Sequence, residues 1–228
     1  IYGQPNNLDW FVNLGTVSAV GGNLEIVANL DSTTTTPRGG ITASSSAVWR
    51  ADSGRSLILN GKLSDIFISG QPPAPYQLVW DSPGDLNLMQ TNDYSGGTII
   101  RQGHVQAFAP NGLGSGQVLV ESTTTAAANL VARSAPGALG NNLITLGNLG
   151  ELKLRSEVDT DFGGRVLVNH QTARFSADRP EGGTGNNRVL SIGELTVAPT
   201  ITALNSVQGP NGGLGYLVGV SGTTILGG

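Results

Sequence analysis

Residues 109–120 read APNGLGSGQVLV, and residues 135–146 further along the chain read APGALGNNLITL. The alanine, the proline, the leucine and the glycine after it coincide in the two copies, and two apolar strand positions follow at the same distance in each. A unit that recurs every ~20 to 50 residues is typical of repeat proteins, in which each unit stacks on its neighbours. This pair of segments therefore predicts a solenoid.

Two shorter echoes extend the repeat along the chain. Residues 116–120 (GQVLV) recur as 164–168 (GRVLV), and residues 150–154 (GELKL) recur as 193–197 (GELTV). A coil of a solenoid must keep its inward strand positions while its loops vary, so unequal spacings are expected. At ~22 residues per coil we expect about ten coils, and ~4.8 Å between stacked strands gives a rod roughly 50 Å long.

Short apolar runs separated by turns fill the chain, and helical periodicity is absent. Asn60-Gly61, Asn111-Gly112 and Asn211-Gly212 are turn signals because Asn and Gly tolerate positive φ. Many short strands predict an all-β sandwich, barrel or solenoid, and the repeats favour a parallel β-helix formed by residues 1–228 as one domain. The apolar runs are 24–27, 57–59, 66–68, 77–80, 98–100, 117–120, 143–146, 152–154, 165–168, 189–192, 195–197 and 216–218.

Composition restricts the classes of function. Charged residues make up only 12% of the chain and the net charge is -4, so we expect no nucleic-acid partner, because phosphate binding needs a basic patch. Cysteine is absent, which excludes disulfides and thiolate metal sites. No apolar stretch approaches the ~20 residues of a spanning helix, so we expect no membrane insertion by this segment. The first residue is Ile1, and we expect a processed or excerpted part of a glycine-rich bacterial surface protein.

Residues 91–121 carry the clearest motif. They contain NDYSGGTIIRQGHVQA at 92–107, followed by GLGSGQVLV at 112–120. This segment resembles the autotransporter-associated β-strand repeat, in which Asn-x-Tyr-Ser-Gly-Gly-Thr precedes one strand and Leu-Gly-x-Gly precedes another. The resemblance implies a right-handed parallel β-helix, export to the bacterial cell surface, and a structural or adhesive role.

The residues of this motif have expected places in a coil. Gly96-Gly97 permits a tight corner before a strand, because glycine adopts backbone angles that are closed to other residues. The ring of Tyr94 is expected to cover the corner while its hydroxyl stays in water. Four alternating side chains are expected to point into the coil, namely Thr98, Ile100, Val105 and Ala107.

Three carboxylates, Glu157, Asp159 and Asp161, alternate along the sequence. On a strand they would share one face, where paired carboxylates bind Ca²⁺ in pectate lyases or serve glycoside hydrolysis. The interpretation that we favour is a solvated acidic corner flanked by Arg155 and Arg165, since no Lys or His lies close in sequence to act as a base.

Two other candidate metal sites are weaker. Residues 182–187 (GGTGNN) echo the Ca²⁺-binding Gly-Gly-x-Gly-x-Asp repeat, but they occur once and have Asn at the Asp position, so a plain turn is expected. His104 and His170 are the only histidines, and neither has the spacing of a metal site. We assign both to surface strand or corner positions.

Aromatic residues and a proline-rich loop are the candidates for recognition. Residues 71–76 (QPPAPY) are interpreted as a rigid connector rather than a polyproline II binding motif. Trp10, Trp49 and Trp80, with Tyr76, would form a sugar-binding platform if they were exposed. Core or end-cap packing of these rings is equally consistent with the sequence.

The sequence thus predicts a non-enzymatic, extracellular structural or adhesive module, with no catalytic, cofactor-binding or metal-binding residues assigned. The alternatives are a β-helix lyase or glycosidase, and a carbohydrate-binding or phage-spike module. The expected partners are copies of the chain or neighbouring repeats, and a surface polysaccharide. Residues 1–22 are expected to cap one end, whereas residues 223–226 read as an uncapped strand that pairs head to tail with another copy or with further coils.

Overall fold

The computed structural model describes residues 10–14, 17–27, 39–43, 48–66, 71–201, 205–206 and 215–226. These ranges contain twenty β-strands and no helix, and accordingly no helix in them is long and apolar enough to cross a membrane. The strands are β1 (Trp10–Leu14), β2 (Val17–Ala19), β3 (Leu24–Val27), β4 (Gly39–Ala43), β5 (Trp49–Ala51), β6 (Ser56–Asn60), β7 (Leu78–Leu88), β8 (Thr98–Ala107), β9 (Val118–Val120), β10 (Ala128–Arg133), β11 (Gly140–Leu146), β12 (Gly150–Arg155), β13 (Thr160–Asp161), β14 (Gly163–Val168), β15 (Arg174–Asp178), β16 (Val189–Ile192), β17 (Glu194–Val197), β18 (Asn205–Ser206), β19 (Leu217–Val220) and β20 (Thr224–Leu226).

All pairings between these strands are parallel. Thirteen of the strands belong to one large sheet. Across the described residues the one antiparallel bridge is isolated and joins Ile66 to Ala74. Parallel strands require crossover connections, so a sandwich or barrel built from hairpins is excluded. The prediction of an all-β chain of parallel strands is therefore confirmed.

The large sheet consists of two stacks that share the long strands β7 and β8. Ladder 1 is the stack of the first part of β7 (Leu78–Trp80), the first part of β8 (Thr98–Ile100), β9, β11, β14, β17 and β20. Ladder 2 is the stack of β3, β6, the second part of β7 (Asp85–Leu88), the second part of β8 (Gly103–Ala107), β10, β12, β15 and β18.

A third stack lies between ladder 2 and the next strand of ladder 1 along the chain. Ladder 3 is the stack of β13, β16 and β19. Backbone hydrogen bonds continue it through earlier turns, from Asn92 N to Asn111 O (3.2 Å), from Asn111 N to Gly137 O (2.9 Å) and from Gly137 N to Asp161 O (2.9 Å). From β11 to β17 the chain visits ladders 1, 2 and 3 in a constant order.

The register of ladder 1 matches the sequence repeat. Val118 pairs with Ile144, which is the offset predicted from the two copies of the repeat, and Ile144 pairs with Val166. Asn111 and Gly137 hold equivalent places in the preceding turns and both have positive φ, 51° and 69°. The APNGLG repeat and the GQVLV echo are therefore confirmed as neighbouring or next-but-one rungs of one stack.

The GELKL echo does not mark equivalent positions, and that prediction is wrong. Residues 150–154 form β12 in ladder 2, whereas residues 193–197 contain β17 in ladder 1. The two segments look alike because both begin at a corner and then place apolar side chains inward. Leu152 is 0% exposed and Leu195 is 8% exposed.

Alternating residues of the two ladders form the core. The four side chains predicted to point inward are at most 1% exposed, which confirms their alternation: Thr98, Ile100, Val105 and Ala107. The corner before them is also confirmed, because Gly97 has a φ of 82°. At the corner before β12, a Cβ added to Gly150 would overlap the Val120 carbonyl oxygen of the preceding coil.

The position predicted for Tyr94 is wrong. Its side chain is fully buried, and its hydroxyl lies 2.7 Å from Thr98 Oγ1 rather than in water. The reason is that Gly114 of the next coil lies over the ring, where an added Cβ would approach Tyr94 Cδ1 to 3.0 Å. Burial raises the pKa of the Tyr94 hydroxyl above its ordinary range.

The N-terminal residues that were expected to form a cap are described only in part. Residues 10–14 form β1, which pairs with β4, and residues 17–19 form β2, which pairs with β5. Residues 1–9 lie outside the described ranges, as do 67–68 of one predicted strand and the predicted turn 211–212. The cap at residues 1–22 stays a prediction.

Candidate functional site

The outward face of ladder 2 carries charged and amide side chains from four successive strands. Their neighbours along each strand, such as Leu86 and Val105, are fully buried in the core, which turns the alternate positions outward. In this face Asp85 stands in register with His104. We call the following six residues the polar cluster: Asp85 of β7, His104 and Gln106 of β8, Arg133 of β10, and Glu151 and Lys153 of β12.

Asp85, His104 and Lys153 form the centre of the polar cluster. Asp85 Oδ1 lies 3.0 Å from His104 Nδ1, and Lys153 Nζ lies 3.4 Å from His104 Nε2. A carboxylate only accepts and an ammonium only donates, so this geometry assigns the imidazole proton to Nδ1 and leaves Nε2 as the acceptor. The side chains of His104 and Asp85 remain 36% and 33% exposed, so solvent reaches this centre.

An amide links this centre to a second cation. Gln106 Nε2 donates to Asp85 Oδ2 at 3.2 Å, and Arg133 Nε donates to Gln106 Oε1 at 2.6 Å. The guanidinium of Arg133 lies 5.5 Å from the centre of the Phe108 ring, within range of a cation–π contact. The cluster therefore forms one continuous chain of contacts across successive coils.

Among the described residues, Lys153 has one long ion pair and Arg133 has none. The ion pair of Lys153 is long, since its Nζ lies 3.9 Å from Glu151 Oε2. Burial lowers the pKa of Lys153, and the charge of Glu151 only partly opposes this shift. Burial also lowers the pKa of Arg133, against the opposing charges of Glu181 and Asp85. Burial thus leaves both positive charges poorly solvated, although carboxylates act on each of them.

Polar groups next to the cluster are enclosed as well. Arg155 is 4% exposed and donates to Ser176 Oγ at 3.0 Å. Asn129 stands in register between His104 and Glu151, and its Nδ2 donates to Gly103 O at 3.1 Å. Its Oδ1, like Asn87 Oδ1, is buried without a hydrogen-bond partner in the described part of the chain. A buried acceptor without a hydrogen-bond donor costs ~1–3 kcal/mol, so these two amide oxygens would be stabilised by a donor.

The alternating carboxylates do not converge on one face. Only Thr160 and Asp161 belong to a strand, so Glu157 and Asp159 lie in the turn before it. Each of the three accepts a backbone N–H: Glu157 from Thr184 at 2.7 Å, Asp159 from Val189 at 3.0 Å, and Asp161 from Gly163 at 3.0 Å. No group of three or more His, Cys, Asp or Glu that could hold a metal occurs within the described ranges. The carboxylates anchor loops.

The arginines that were expected to flank this corner differ. Arg165 is exposed, as expected, but Arg155 is buried in the layer beside the polar cluster. Arg155 is the last residue of β12 and stands in register with Arg133 of the polar cluster, whereas Arg165 lies within β14 of ladder 1.

The glycine-rich loop 182–187 is a turn. Gly182 and Asn187 have positive φ, 77° and 56°, as tight turns require. The hydrogen bond from Thr184 N fixes the loop to Glu157 of the coil before. His170 occupies another exposed turn, where its Nδ1 lies 2.8 Å from Thr172 Oγ1.

Of the four aromatic residues considered for a sugar-binding platform, the three with described side chains are core residues, and the platform alternative is wrong for them. Trp49 is 3% exposed, Tyr76 is 5% exposed and Trp80 is 0% exposed. The ring of Tyr76 lies 5.9 Å from Trp49 and 6.2 Å from Tyr94 between centroids, which are ordinary packing distances. The side chain of Trp10 lies outside the described residues.

The proline-rich loop is anchored at its end, as a connector would be. Residues 71–75 are exposed, but Ala74 pairs with Ile66, and Tyr76 N donates to Asp65 Oδ1 at 2.9 Å. Asp65 also accepts from Ser95 N at 2.7 Å, so one carboxylate joins the loop to the next coil.

An open groove of about 410 Å³ follows the corner where ladder 3 leads into ladder 1. Glycine backbone forms much of the wall of this groove, and the only charged side chains among its lining residues are Arg165 and Glu194. The groove therefore contains no cluster of catalytic or metal-binding side chains. Its lining residues are Asn141, Gly163, Gly164, Arg165, Gly193, Glu194, Ser221 and Gly222.

The polar cluster is the site that sequence reasoning missed. Its members span residues 85 to 153, and they are scattered over four strands rather than gathered in one motif. A signal existed, since every member occupies an outward position of a strand. Recognising it required the register between coils, which aligns Asp85 with His104 and Gln106 with Val131 and Lys153.

No protein family, curated protein or solved structure matches this chain. The resemblance of residues 91–121 to the autotransporter-associated β-strand repeat stays a prediction. The function is therefore inferred from the geometry of the chain itself.

Proposed function

We propose that this chain is a non-enzymatic structural or adhesive module of an extracellular bacterial surface protein or fibre, wound as a right-handed β-solenoid of about ten coils. The observation that carries the proposal is that, among the described residues, the strands at the two ends of the stack each have a strand partner on one side only. Such ends stack on one another without any further binding site.

The pairing pattern favours a solenoid. In ladder 1, Thr98 pairs with Val118 and Val118 pairs with Ile144. Neighbouring strands of this ladder are thus one sequence repeat apart, as they are in a solenoid in which each coil adds one strand to the ladder. Parallel crossover connections are right-handed in the great majority of proteins, which favours that hand here.

The two ends of the stack are complementary. At one end β1, β2 and β3 each pair with one strand only, and at the other end β18, β19 and β20 do the same. Among the described residues each set has one edge without a strand partner, and the backbone N–H and C=O groups of such an edge template further pairing. Because the two sets differ, the contact between copies is head to tail and extends into a filament.

Apolar side chains at the open ends supply the driving force. Leu226 stands in register with the buried Val197 and Val218 with the buried Leu190, so both occupy inward positions. They are nonetheless 69% and 38% exposed, because no strand follows them in the described residues. At the opposite end Leu24, in register with Leu57, is 37% exposed.

Surface chemistry favours an extracellular setting. The chain contains no Cys and only 12 Lys and Arg against 34 Gly, a composition that solvates itself through hydroxyls and amides. The carboxylates Asp159 and Asp161 hold backbone groups, a structural use that suits a non-enzymatic module.

The test is the size of residues 1–228 in solution, measured by light scattering with electron microscopy. We expect rods or chains that shorten on Leu226→Lys, because an inward charge at the end cannot be buried. Ile225→Lys changes an outward position of the same strand and should shorten them less, and Val158→Lys, an exposed site on another rung, should not. A monomer at high concentration, or equal effects of all three substitutions, would refute the proposal.

A further inference from the structure

The polar cluster on ladder 2 lies on the side of the stack, away from the open ends, so its role is independent of assembly. Its cations come from separate strands but converge on β8. Lys153 reaches His104, and Arg133 reaches Gln106, the next outward position along the same face. The two contacts are thus separated by ~7 Å along the strand.

The cluster contains two carboxylates and two cations, but the closest polar contacts of both cations are to neutral groups. Asp85 is committed, because its two oxygens contact His104 and Gln106. Lys153 has a ring nitrogen of His104 at 3.4 Å and a carboxylate oxygen at 3.9 Å, and Arg133 donates to an amide oxygen. An anion placed between these cations would form charge-assisted hydrogen bonds that they now lack.

Neutral polar groups surround the cations. Gln106 and Asn129 are 6% and 5% exposed, and the oxygens Asn87 Oδ1 and Asn129 Oδ1 have no donor in the described part of the chain. When Lys153 turns to an anion, His104 Nε2 is freed as one more acceptor. Such a site suits a ligand that carries one anionic group beside a hydroxyl donor, which would reach the exposed imidazole of His104.

We propose that the polar cluster binds the carboxylate of a sugar acid in an acidic glycan, with Lys153 and Arg133 holding the carboxylate and His104 accepting a ring hydroxyl. A nucleic acid or another polyphosphate fits less well, because binding a row of phosphates needs a basic patch and the cluster offers two cations. The exposed edges of His104 and Asp85 provide the approach.

The probe is a trimer of galacturonic acid, and the readout is calorimetry together with the side-chain NMR signals of His104. We expect saturable binding that weakens at least tenfold when the carboxyl groups of the trimer are methyl-esterified. Glutarate presents carboxylates without ring hydroxyls and should bind at least tenfold more weakly than the trimer. Equal affinity for the trimer and its ester, or for the trimer and glutarate, would overturn the assignment of a sugar acid.

Two substitutions locate the site. Lys153→Met keeps the alkyl stem and removes the charge, and it should weaken trimer binding at least tenfold. Lys62→Met makes the same change at an exposed lysine paired with Asp93, outside the cluster, and should leave affinity unchanged. Equal affinities of the two variants, or trimer binding without a shift of the His104 signals, would place the glycan elsewhere and refute the proposal. The His104 readout needs no variant, so it decides the matter even where Lys153→Met is unstable.

Discussion

The hydrogen bond between Tyr94 and Thr98 gives a sharp test of the packing inside the stack. The Tyr94 side chain is 0% exposed, Thr98 is 1% exposed, and the two hydroxyl oxygens lie 2.7 Å apart. Tyr94→Phe removes one hydroxyl and leaves Thr98 Oγ1 enclosed without this partner. The loss of free energy of unfolding should be ~1–3 kcal/mol, the cost of an unsatisfied buried polar group.

The reciprocal change should cost about the same. Thr98→Val keeps the shape of the side chain and leaves the Tyr94 hydroxyl unpaired, so we expect ~1–3 kcal/mol again. When both changes are combined, no polar group is left enclosed and the cost should fall well below the sum. The coupling energy of the cycle is then ~1–3 kcal/mol.

Urea unfolding followed by tryptophan fluorescence measures these values, because Trp49 and Trp80 are buried and report loss of the core. Tyr216→Phe is the matched control, since that hydroxyl donates to Ser156 O at 2.9 Å from a half-buried position and should cost less. If the double variant loses the sum of the single losses to within ~0.5 kcal/mol, the two hydroxyls do not interact and the reasoning is refuted.

Three further predictions concern titration, corner packing and catalysis. Burial raises the pKa of Tyr76 and Tyr94, so the folded chain holds these two protons more tightly than the unfolded chain does. The free energy of unfolding should therefore be highest below about pH 10 and should fall as the pH rises above that value. A urea midpoint that is the same at about pH 8 and about pH 11 would contradict this. Gly150→Ala should lower the free energy of unfolding by ~1–3 kcal/mol or more, because the new Cβ would overlap the carbonyl oxygen of Val120. Gly22→Ala is the control and should change the free energy of unfolding by less than ~0.5 kcal/mol, since no atom lies within 4 Å of its Cβ position. Equal unfolding midpoints of the two variants would argue against the corner packing. The purified chain should not cleave pectin, glucans or peptidoglycan with or without Ca²⁺, and any turnover that disappears on Asp159→Ala or Asp161→Ala would overturn the non-enzymatic assignment.

The stacking of parallel strands was predictable from the sequence because it is encoded locally. An inward strand position must be apolar and a corner must be small, and these demands recur in every coil. The pairs Val118 with Ile144 and Asn111 with Gly137 could therefore be aligned from sequence spacing before their contacts were known. Residues 150–154 and 193–197 have similar sequences because both begin at a corner, yet they belong to different ladders.

The features that could not be predicted depend on contacts between segments that are far apart in the sequence. Tyr94 looked like a surface cap because nothing local shows that Gly114 lies over its ring. The polar cluster was missed for a related reason, since Asp85, His104 and Lys153 become neighbours only through the register of successive coils. Trp49 and Trp80 are buried because their side chains lie on the inward face of their strands, and the sequence alone does not show which face of a strand points inward.

Cross-linking between engineered cysteines tests the parallel stack most directly, because the natural chain contains none. Leu119 stands in register with Thr145, and Thr145 with Leu167. Neighbouring rungs are ~4.8 Å apart, within the range of Cα separations that a disulfide spans, whereas next-but-one rungs are ~9.6 Å apart. Leu119→Cys with Thr145→Cys, and Thr145→Cys with Leu167→Cys, should form intramolecular disulfides on mild oxidation, detected by mass spectrometry. Leu119→Cys with Leu167→Cys should not, and a disulfide in that pair without one in either neighbouring pair would contradict the stack of parallel coils.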